Sequence, residues 1–207
     1  MRTLTAREGT RPVAARAPAN LAGVPDSLAP SLLVAMPQLL DPNFRRTVVL
    51  LIHHDADGTF GVVLNRTTEI SASQLCQSIE IDWCGDPDAE IYWGGPVQPQ
   101  TGWVLLEEGE GEPDEEVREV VPGVGFAGSL AVLRRVATEP PNRLRILLGY
   151  AGWGPGQLET ELAQGAWLVA PADAAFVFGT ELDAMWSEAV RRLGIEPATL
   201  VASRGVH

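Results

Sequence analysis

Lysine is absent from this chain of 207 residues, so all fifteen of its basic residues are arginine. The absence excludes mechanisms that need an amine side chain, namely the P-loop lysine, Schiff-base chemistry, the kinase lysine and the Ser-x-x-Lys nucleophile. Acidic residues number 27, and the net charge is −12. We therefore expect neither direct contact with nucleic acid nor binding to an anionic membrane surface, because both need clustered positive charge.

Cysteine is almost as scarce, since Cys76 and Cys84 are the only two. Two cysteines are too few for a disulfide scaffold, and neither has a second Cys or His at zinc-ligand spacing. The sequence therefore predicts two free thiols and no metal site. No apolar run approaches the roughly 20 residues of a membrane span. The first residues also lack the apolar segment of a signal peptide. We expect a cytoplasmic protein.

The chain divides into a short tail and one domain. Residues 1–27 combine arginines and prolines with few apolar side chains, which is typical of disorder. An organelle transit peptide is the alternative, but no serine precedes Ser27. Residues 28–207 have the length and apolar content of a single domain with a substantial core.

Strand and helix signals are mixed along the domain. A hairpin is predicted at Asp57-Gly58, and this early antiparallel pair is incompatible with a purely parallel sheet. The sequence therefore predicts an α+β fold, or an α/β fold with a mixed sheet. The predicted strands are residues 32–36, 47–52, 60–64, 90–93, 103–106, 117–121, 144–148 and 176–178. The predicted helices are residues 71–79 with Leu75 and Ile79 inward, 129–138, a short helix carrying Leu158 and Leu162, and 180–193 capped by Thr180.

Glycines at 149, 152, 154 and 156 follow the predicted strand at 144–148. We predict that they form a loop, because glycine permits positive φ and close approach to another backbone. Trp153 and Trp167 flank the short helix that comes next, and both need a packing partner.

The segment from Gly123 to Gly128 matches the dinucleotide-binding pattern G-x-G-x-x-G. That fingerprint also requires an acidic residue at the end of the following strand to bind the ribose. The strand in question ends in Leu147-Leu148-Gly149-Tyr150, without a carboxylate. We therefore favour a lone glycine pattern over a nucleotide site, and we predict no cofactor.

Two polar clusters have simple explanations. Residues 107–119 contain eight acids and one arginine, which favours a solvated loop over an acidic docking patch. His53 and His54 are neighbours on a predicted strand and point to opposite faces, so they are not expected to share one metal ion.

Three segments together resemble the YqgE/AlgH family of bacterial proteins. They are residues 35–48 (AMPQLLDPNFRRTV) with the following GVVLNR at 61–66, residues 92–98 (YWGGPVQ), and residues 148–159 (LGYAGWGPGQLE). The resemblance extends from about residue 28 to the C-terminus. It implies a largely antiparallel, bifurcated sheet that forms a partial barrel flanked by helices. It implies no established activity, although one branch of the family is linked to transcriptional control of alginate synthesis.

Two classes of function remain open at this point. One is a non-enzymatic binding or regulatory protein with an unidentified protein or small-molecule partner. The other is an enzyme or ligand sensor that uses glycine-rich loops and carboxylates, with Asp41, Asn65 and Glu159 as participants. A ligand cleft is predicted from Asp41, Asn65, Gly94, Gly95, Gln98, Gly152, Trp153, Gln157 and Glu159. The alternative is that the glycines only permit close packing and that Trp153 fills a core.

Overall fold

The computed structural model describes residues 27–108 and 114–202, and its strands form one curled sheet. In chain order the strands are β1 (Ser31–Ala35), β2 (Val48–Asp55), β3 (Gly58–Val63), β4 (Thr67–Ser71), β5 (Glu90–Trp93), β6 (Val97–Glu107), β7 (Arg118–Val121), β8 (Val124–Ala127), β9 (Leu144–Trp153) and β10 (Trp167–Ala170). The helices are α1 (Ala72–Ser78), α2 (Leu130–Thr138), α3 (Gln157–Ala163), α4 (Ala174–Gly179), α5 (Leu182–Arg192) and α6 (Pro197–Ala202).

The order of strands across the sheet is β10-β1-β2-β3-β9-β6-β8-β7. The neighbours on this path are antiparallel, whereas β5 lies off the path, pairs in parallel with β9 and also carries β4. Strand β9 therefore contacts β3, β5 and β6, which is the point where the sheet divides. This arrangement confirms the prediction of a mixed, largely antiparallel and bifurcated sheet with flanking helices, which curls into a half-barrel.

A contact between glycine backbones allows β9 to reach all three partners. Gly149 has φ 72° and Gly95 has φ 151°. A Cβ atom on Gly149 would lie 2.3 Å from the carbonyl oxygen of Gly95, and one on Gly95 would lie 2.1 Å from the carbonyl carbon of Tyr150. Gly94 donates its N–H to Leu148 and accepts from Val63. The two segments can lie this close together because neither glycine carries a side chain.

Apolar side chains are buried on both faces of the central strands. All five residues of β1 are buried, as are the first five of β2, in agreement with their continuous aliphatic sequences. On one face the core is closed by α4 and α5, whose buried residues are Phe176, Val177, Met185, Trp186, Ala189 and Val190. On the other face α3 covers the half of the sheet around β1, and α1 with α2 covers the half around β6.

The prediction of a strand at residues 176–178 is wrong, because these residues lie in α4. Asp173 begins this helix, since its side chain accepts a hydrogen bond from the N–H of Phe176. A short apolar run fits either structure, and here the capping residue decides for the helix. The last strand is instead β10, which the sequence did not indicate. Thr180 ends α4, and Glu181, not Thr180, precedes α5.

The glycine pattern at residues 123–128 also forms a different structure from a nucleotide-binding loop. Its residues Val124–Ala127 are strand β8, which pairs with β6 and β7. Gly123, with φ 80°, is in the turn of that hairpin. Gly149 and Gly152 likewise lie within β9 and not in a loop.

At the ends of helix α1, Ile79 was expected to point inward but is exposed, whereas the capping box at Ser71 is confirmed.

Several predictions fall outside the described residues. They concern nearly all of the tail at 1–27, residues 109–113 of the acidic run and the last five residues of the chain. The disordered tail therefore stays a prediction.

The close contact at Gly149 is tested by comparing Gly149→Ala with Gly165→Ala. Both glycines have φ 72°, but a Cβ on Gly165 has no atom within 4 Å. We expect Gly165→Ala to lower the free energy of unfolding by roughly 1–2 kcal/mol from backbone strain alone. Gly149→Ala adds the clash with Gly95 and is expected to cost about 3–5 kcal/mol. Urea unfolding measures both, and equal losses would contradict the contact.

The ion pair between Asp173 and Arg192 predicts a dependence of stability on pH. The hydrogen bond from Arg192 and that from the Phe176 N–H lower the pKa of Asp173. A carboxylate whose pKa is lower in the folded state stabilises the fold above its unfolded pKa and loses this effect as pH falls through the folded pKa. We expect Asp173→Asn to cost under about 1 kcal/mol at pH 7, because the pair is partly exposed.

The cost of Asp173→Asn should begin to fall below the ordinary aspartate pKa of 3.8 and be lost as pH passes through the lower pKa of the folded state. Thermal unfolding at a series of pH values measures it. Asp82→Asn, at an exposed residue without an ion pair among those that the structure describes, is the control. A cost that does not change down to pH 2.5 would rule out the ion pair as its origin.

Candidate functional site

A cavity of about 480 Å³ opens between the β2–β3 hairpin and β9, and we name it the aromatic cleft. The rings of Phe60 and Tyr150 are 4.9 Å apart, and Trp103 adds a third ring 5.1 Å from Phe60. The residues that line the cleft are His53, Asp55, Asp57, Gly58, Thr59, Phe60, Val97, Tyr150, Gly152 and Trp153.

Strand register explains why the cleft is open. His53 pairs with Phe60, and Phe60 pairs with Gly152, so these three residues form one row across the sheet. Gly152 has no side chain, and a Cβ there would approach the Tyr150 ring to 3.1 Å. The space beside Phe60 therefore stays free, and the two aromatic rings form the floor of the cleft.

Carboxylates lie at the rim of this aromatic floor. Asp55 accepts hydrogen bonds from the N–H groups of Asp57 at 2.8 Å and Gly58 at 3.2 Å, and its Oδ2 lies 2.7 Å from Nε2 of His53. The bond from Asp57, and then that from His53, lower the pKa of Asp55, so this carboxyl group is ionised at neutral pH. Asp57 is an exposed second carboxylate. The cleft thus combines π surfaces with negative charge.

The neighbouring row of the same strands faces the opposite side of the sheet. It contains His54, Thr59 and Trp153. His54 is buried and His53 is exposed, which confirms that the two histidines point to opposite faces. The indole of Trp153 is therefore not an exposed plate. Its ring packs against Phe44 in the core behind the cleft, and only one part of the residue reaches the cleft.

Glu161 connects the tryptophans to α3, a role that the sequence did not indicate. Its Oε2 accepts hydrogen bonds from the indole N–H of Trp153 at 3.0 Å and of Trp167 at 2.7 Å. Its Oε1 accepts from the amide of Gln157, whose own oxygen accepts from the N–H of Gly154. A buried indole N–H needs a hydrogen-bond acceptor. The two tryptophans that flank an acidic helix were therefore the feature of the sequence from which this role of Glu161 could have been inferred.

The remaining predicted site residues support backbone turns. Asp41 accepts from the N–H of Asn43 at 2.8 Å. Asn65 accepts from the N–H of Val48 and donates to the carbonyl of Arg46, both at 2.9 Å. These bonds hold the turn after Asp41 against the end of β3.

The predicted residues are therefore distributed over several places. Gly94 and Gly95 form the glycine contact with β9, and Gln98 is exposed beside Val97, which lines the cleft. Of the nine, the structure brings Gly152 and Trp153 to the aromatic cleft. Ligand binding by the set of nine stays a prediction.

One cluster on the α3 side has the parts of a nucleophile site. Nδ1 of His54 lies 2.7 Å from the hydroxyl of Thr59, and Nε2 of His54 lies 3.6 Å from a carboxylate oxygen of Glu159. Hydroxyl, imidazole and carboxylate in this order are the groups of a catalytic triad. Thr59 and His54 are only 7% and 8% exposed, however, so in this structure the cluster chiefly satisfies buried polar groups.

The cysteines and other metal-binding residues show no such convergence. Within residues 27–108 and 114–202, no three His, Cys, Asp or Glu side chains come together to hold an ion. Cys76 and Cys84 are both free, and burial raises the pKa of the Cys76 thiol. In the same part of the chain, no helix has the length and hydropathy needed to span a membrane.

The profile of the AlgH-like family matches residues 32–198, and the chain belongs to this family. A relative named UPF0301 protein from Myxococcus xanthus is 43% identical over 182 residues, covering 87% of this chain and 99% of its own. A second, from Anaeromyxobacter dehalogenans, is 37% identical over 188 residues, which is 87% of this chain and 95% of that protein.

Two solved structures share the fold. The solution structure of AlgH from Pseudomonas aeruginosa has 34% sequence identity and a TM-score of 0.70, and the match covers 89% of this chain and 97% of AlgH. A crystal structure of a Corynebacterium diphtheriae protein has 24% identity and a TM-score of 0.66, with 86% and 92% covered, and it supports the fold alone.

Gln157→Ala tests the hydrogen-bond network around Glu161. The change removes the bonds to Gly154 and Glu161, and we expect the free energy of unfolding to fall by about 1–2 kcal/mol. Urea unfolding measures the loss, with the exposed Gln164→Ala as the control at the end of the same helix. A Gln157→Ala protein of wild-type stability that has lost binding to a partner would instead support the sequence-based assignment of Gln157 to a ligand cleft.

Proposed function

We propose that this chain is a non-enzymatic binding protein with a regulatory role, and that its aromatic cleft takes up a basic side chain of a partner protein. The observation that carries the proposal is the position of ionised Asp55 and exposed Asp57 beside the rings of Phe60 and Tyr150. Aromatic faces attract guanidinium and ammonium groups, and nearby carboxylates add a direct ionic partner.

The size and charge of the protein support this assignment. A cavity of about 480 Å³ is within the usual range for a bound group and accommodates a long side chain. The net charge of −12 attracts a basic partner over a distance and repels phosphate-bearing ligands. A regulatory effect of this protein would accordingly pass through a protein contact and not through direct binding to DNA.

A second candidate function rests on the cluster of His54, Thr59 and Glu159. If a substrate reaches this cluster, the hydroxyl of Thr59 becomes a nucleophile with His54 as its base and Glu159 beside the imidazole. Thr59→Val would then abolish hydrolysis of an activated ester, such as p-nitrophenyl acetate, by the purified protein. Hydrolysis that is no faster than that of a heat-denatured sample excludes this candidate.

The binding function is tested with a fluorescent hexa-arginine peptide, blocked at both ends, and a hexa-glutamate peptide as its counterpart. We expect saturable binding of hexa-arginine at 150 mM salt and none of hexa-glutamate, measured by fluorescence anisotropy. Asp57→Asn and Tyr150→Leu should each weaken binding, Tyr150→Leu by about 2- to 5-fold if one cation–π contact is lost.

Asp82→Asn removes one negative charge away from the cleft and serves as the matched control. An affinity lowered equally by Asp57→Asn and Asp82→Asn would indicate attraction by net charge alone, and it would contradict recognition in the aromatic cleft. Unchanged affinity in the Tyr150→Leu variant would contradict a role for the aromatic floor.

A further inference from the structure

A second cavity, of about 570 Å³, lies between the sheet and the segment that joins α4 to α5. We name it the arginine cavity because it is lined by Arg145 of β9, together with Thr67, Tyr92 and the residues from Phe178 to Asp183. We propose that this cavity binds a small zwitterion, that is, a compound with a carboxylate and an ammonium group such as a free amino acid. The site is separate from the aromatic cleft and does not depend on the function proposed for it.

Arg145 is a buried charge that has no ionic partner within the described part of the chain. The residue is 5% exposed, and its guanidinium lies 4.7 Å from the centre of the Tyr92 ring. Nη1 donates to the carbonyl of Leu64 at 2.6 Å, the one hydrogen bond that the described residues provide to this side chain. None of the ion pairs among those residues includes Arg145.

Without a bound ligand, the burial of Arg145 lowers the stability of the folded protein. Burying most of a charged side chain without a counter-charge is unfavourable, although Arg145 keeps contact with the cavity and with the Tyr92 ring. Burial lowers the pKa of Arg145, but a guanidinium remains protonated in proteins. Several of its N–H groups are still available in the cavity, and a carboxylate that enters there would form the paired hydrogen bonds that arginine favours.

The start of α5 provides a second attraction for an anion at the same place. Glu181 precedes this helix of eleven residues but makes no side-chain hydrogen bond to its first turn. Leu182 and Asp183, the first two residues of α5, line the cavity. The first turn of α5, at the positive end of the helix dipole, therefore borders the cavity, and this turn also carries the acidic residue Asp183. The hydroxyl-bearing Thr67 and Thr180 also line the cavity.

Three acidic residues of the arginine cavity favour a zwitterion over a simple anion as its ligand. Glu90, Glu181 and Asp183 line the same cavity, and all three are exposed. They would repel a ligand that carries only negative charge, and they would pair with an ammonium group. A ligand with both groups places its carboxylate at Arg145 and its ammonium at the exposed acids, so that each charged wall has a partner.

The test is calorimetric titration of the full-length protein with each of the twenty free L-amino acids, compared with propionate and inorganic phosphate. We expect saturable binding of at least one amino acid, with propionate and phosphate at least tenfold weaker. Arg145→Met should abolish this binding, whereas Arg134→Met, the same change at an exposed arginine without an ion pair among the described residues, should leave it unchanged.

Glu181→Gln tests the acidic wall at an exposed residue whose side chain makes no capping bond, and it keeps the proposal testable if Arg145→Met does not fold. We expect weaker binding of the amino acid and stronger binding of propionate, so that the ratio of the two affinities falls. The proposal is overturned if no amino acid binds, if propionate or phosphate binds as tightly as any amino acid, or if Arg145→Met retains wild-type affinity.

Discussion

The structure depends on the contact between two backbone segments that carry no side chains. Gly94 and Gly95, directly after β5, lie against Gly149 and Tyr150 of β9. Any Cβ atom at Gly95 or Gly149 would overlap a carbonyl group of the other segment. Because the two segments can approach so closely, β9 pairs with β5 and β6 at residues up to 150 and with β3 at residues 151–153. The divided sheet follows from this one contact.

The same strand positions both candidate binding sites. Arg145 lies near the start of β9 and lines the cavity beneath the α4–α5 segment, whereas Tyr150 and Gly152 lie beyond Gly149 and border the aromatic cleft. The two sites differ in chemistry. The cleft offers π surfaces and carboxylates, and the arginine cavity offers a buried guanidinium, without an ion pair among the described residues, and acids at its exposed side. The two proposals together describe a ligand-dependent regulator, with one surface for a basic partner and one cavity for a small zwitterion.

The sequence predicted those elements whose signal is local. Aliphatic runs gave β1 and β2, and the Ser71 capping box gave α1. Glycines were misleading in β9, because their role there is a long-range contact and not a turn. The apolar run in α4 has no period that separates helix from strand. Arg145 was missed because an arginine within an apolar strand is read as solvent-facing unless both faces of the strand are known to be covered.

The amide spectrum of the ¹⁵N-labelled protein tests most directly whether β9 carries two separate recognition sites. Titration with hexa-arginine should shift the signals of residues 53–60 and 150–152, and titration with the amino acid that binds should shift those of residues 67, 92, 145 and 178–183. The two groups of shifted signals should not overlap at first saturation. Shifts spread evenly over the acidic surface, or the same group of signals shifting in both titrations, would contradict the account.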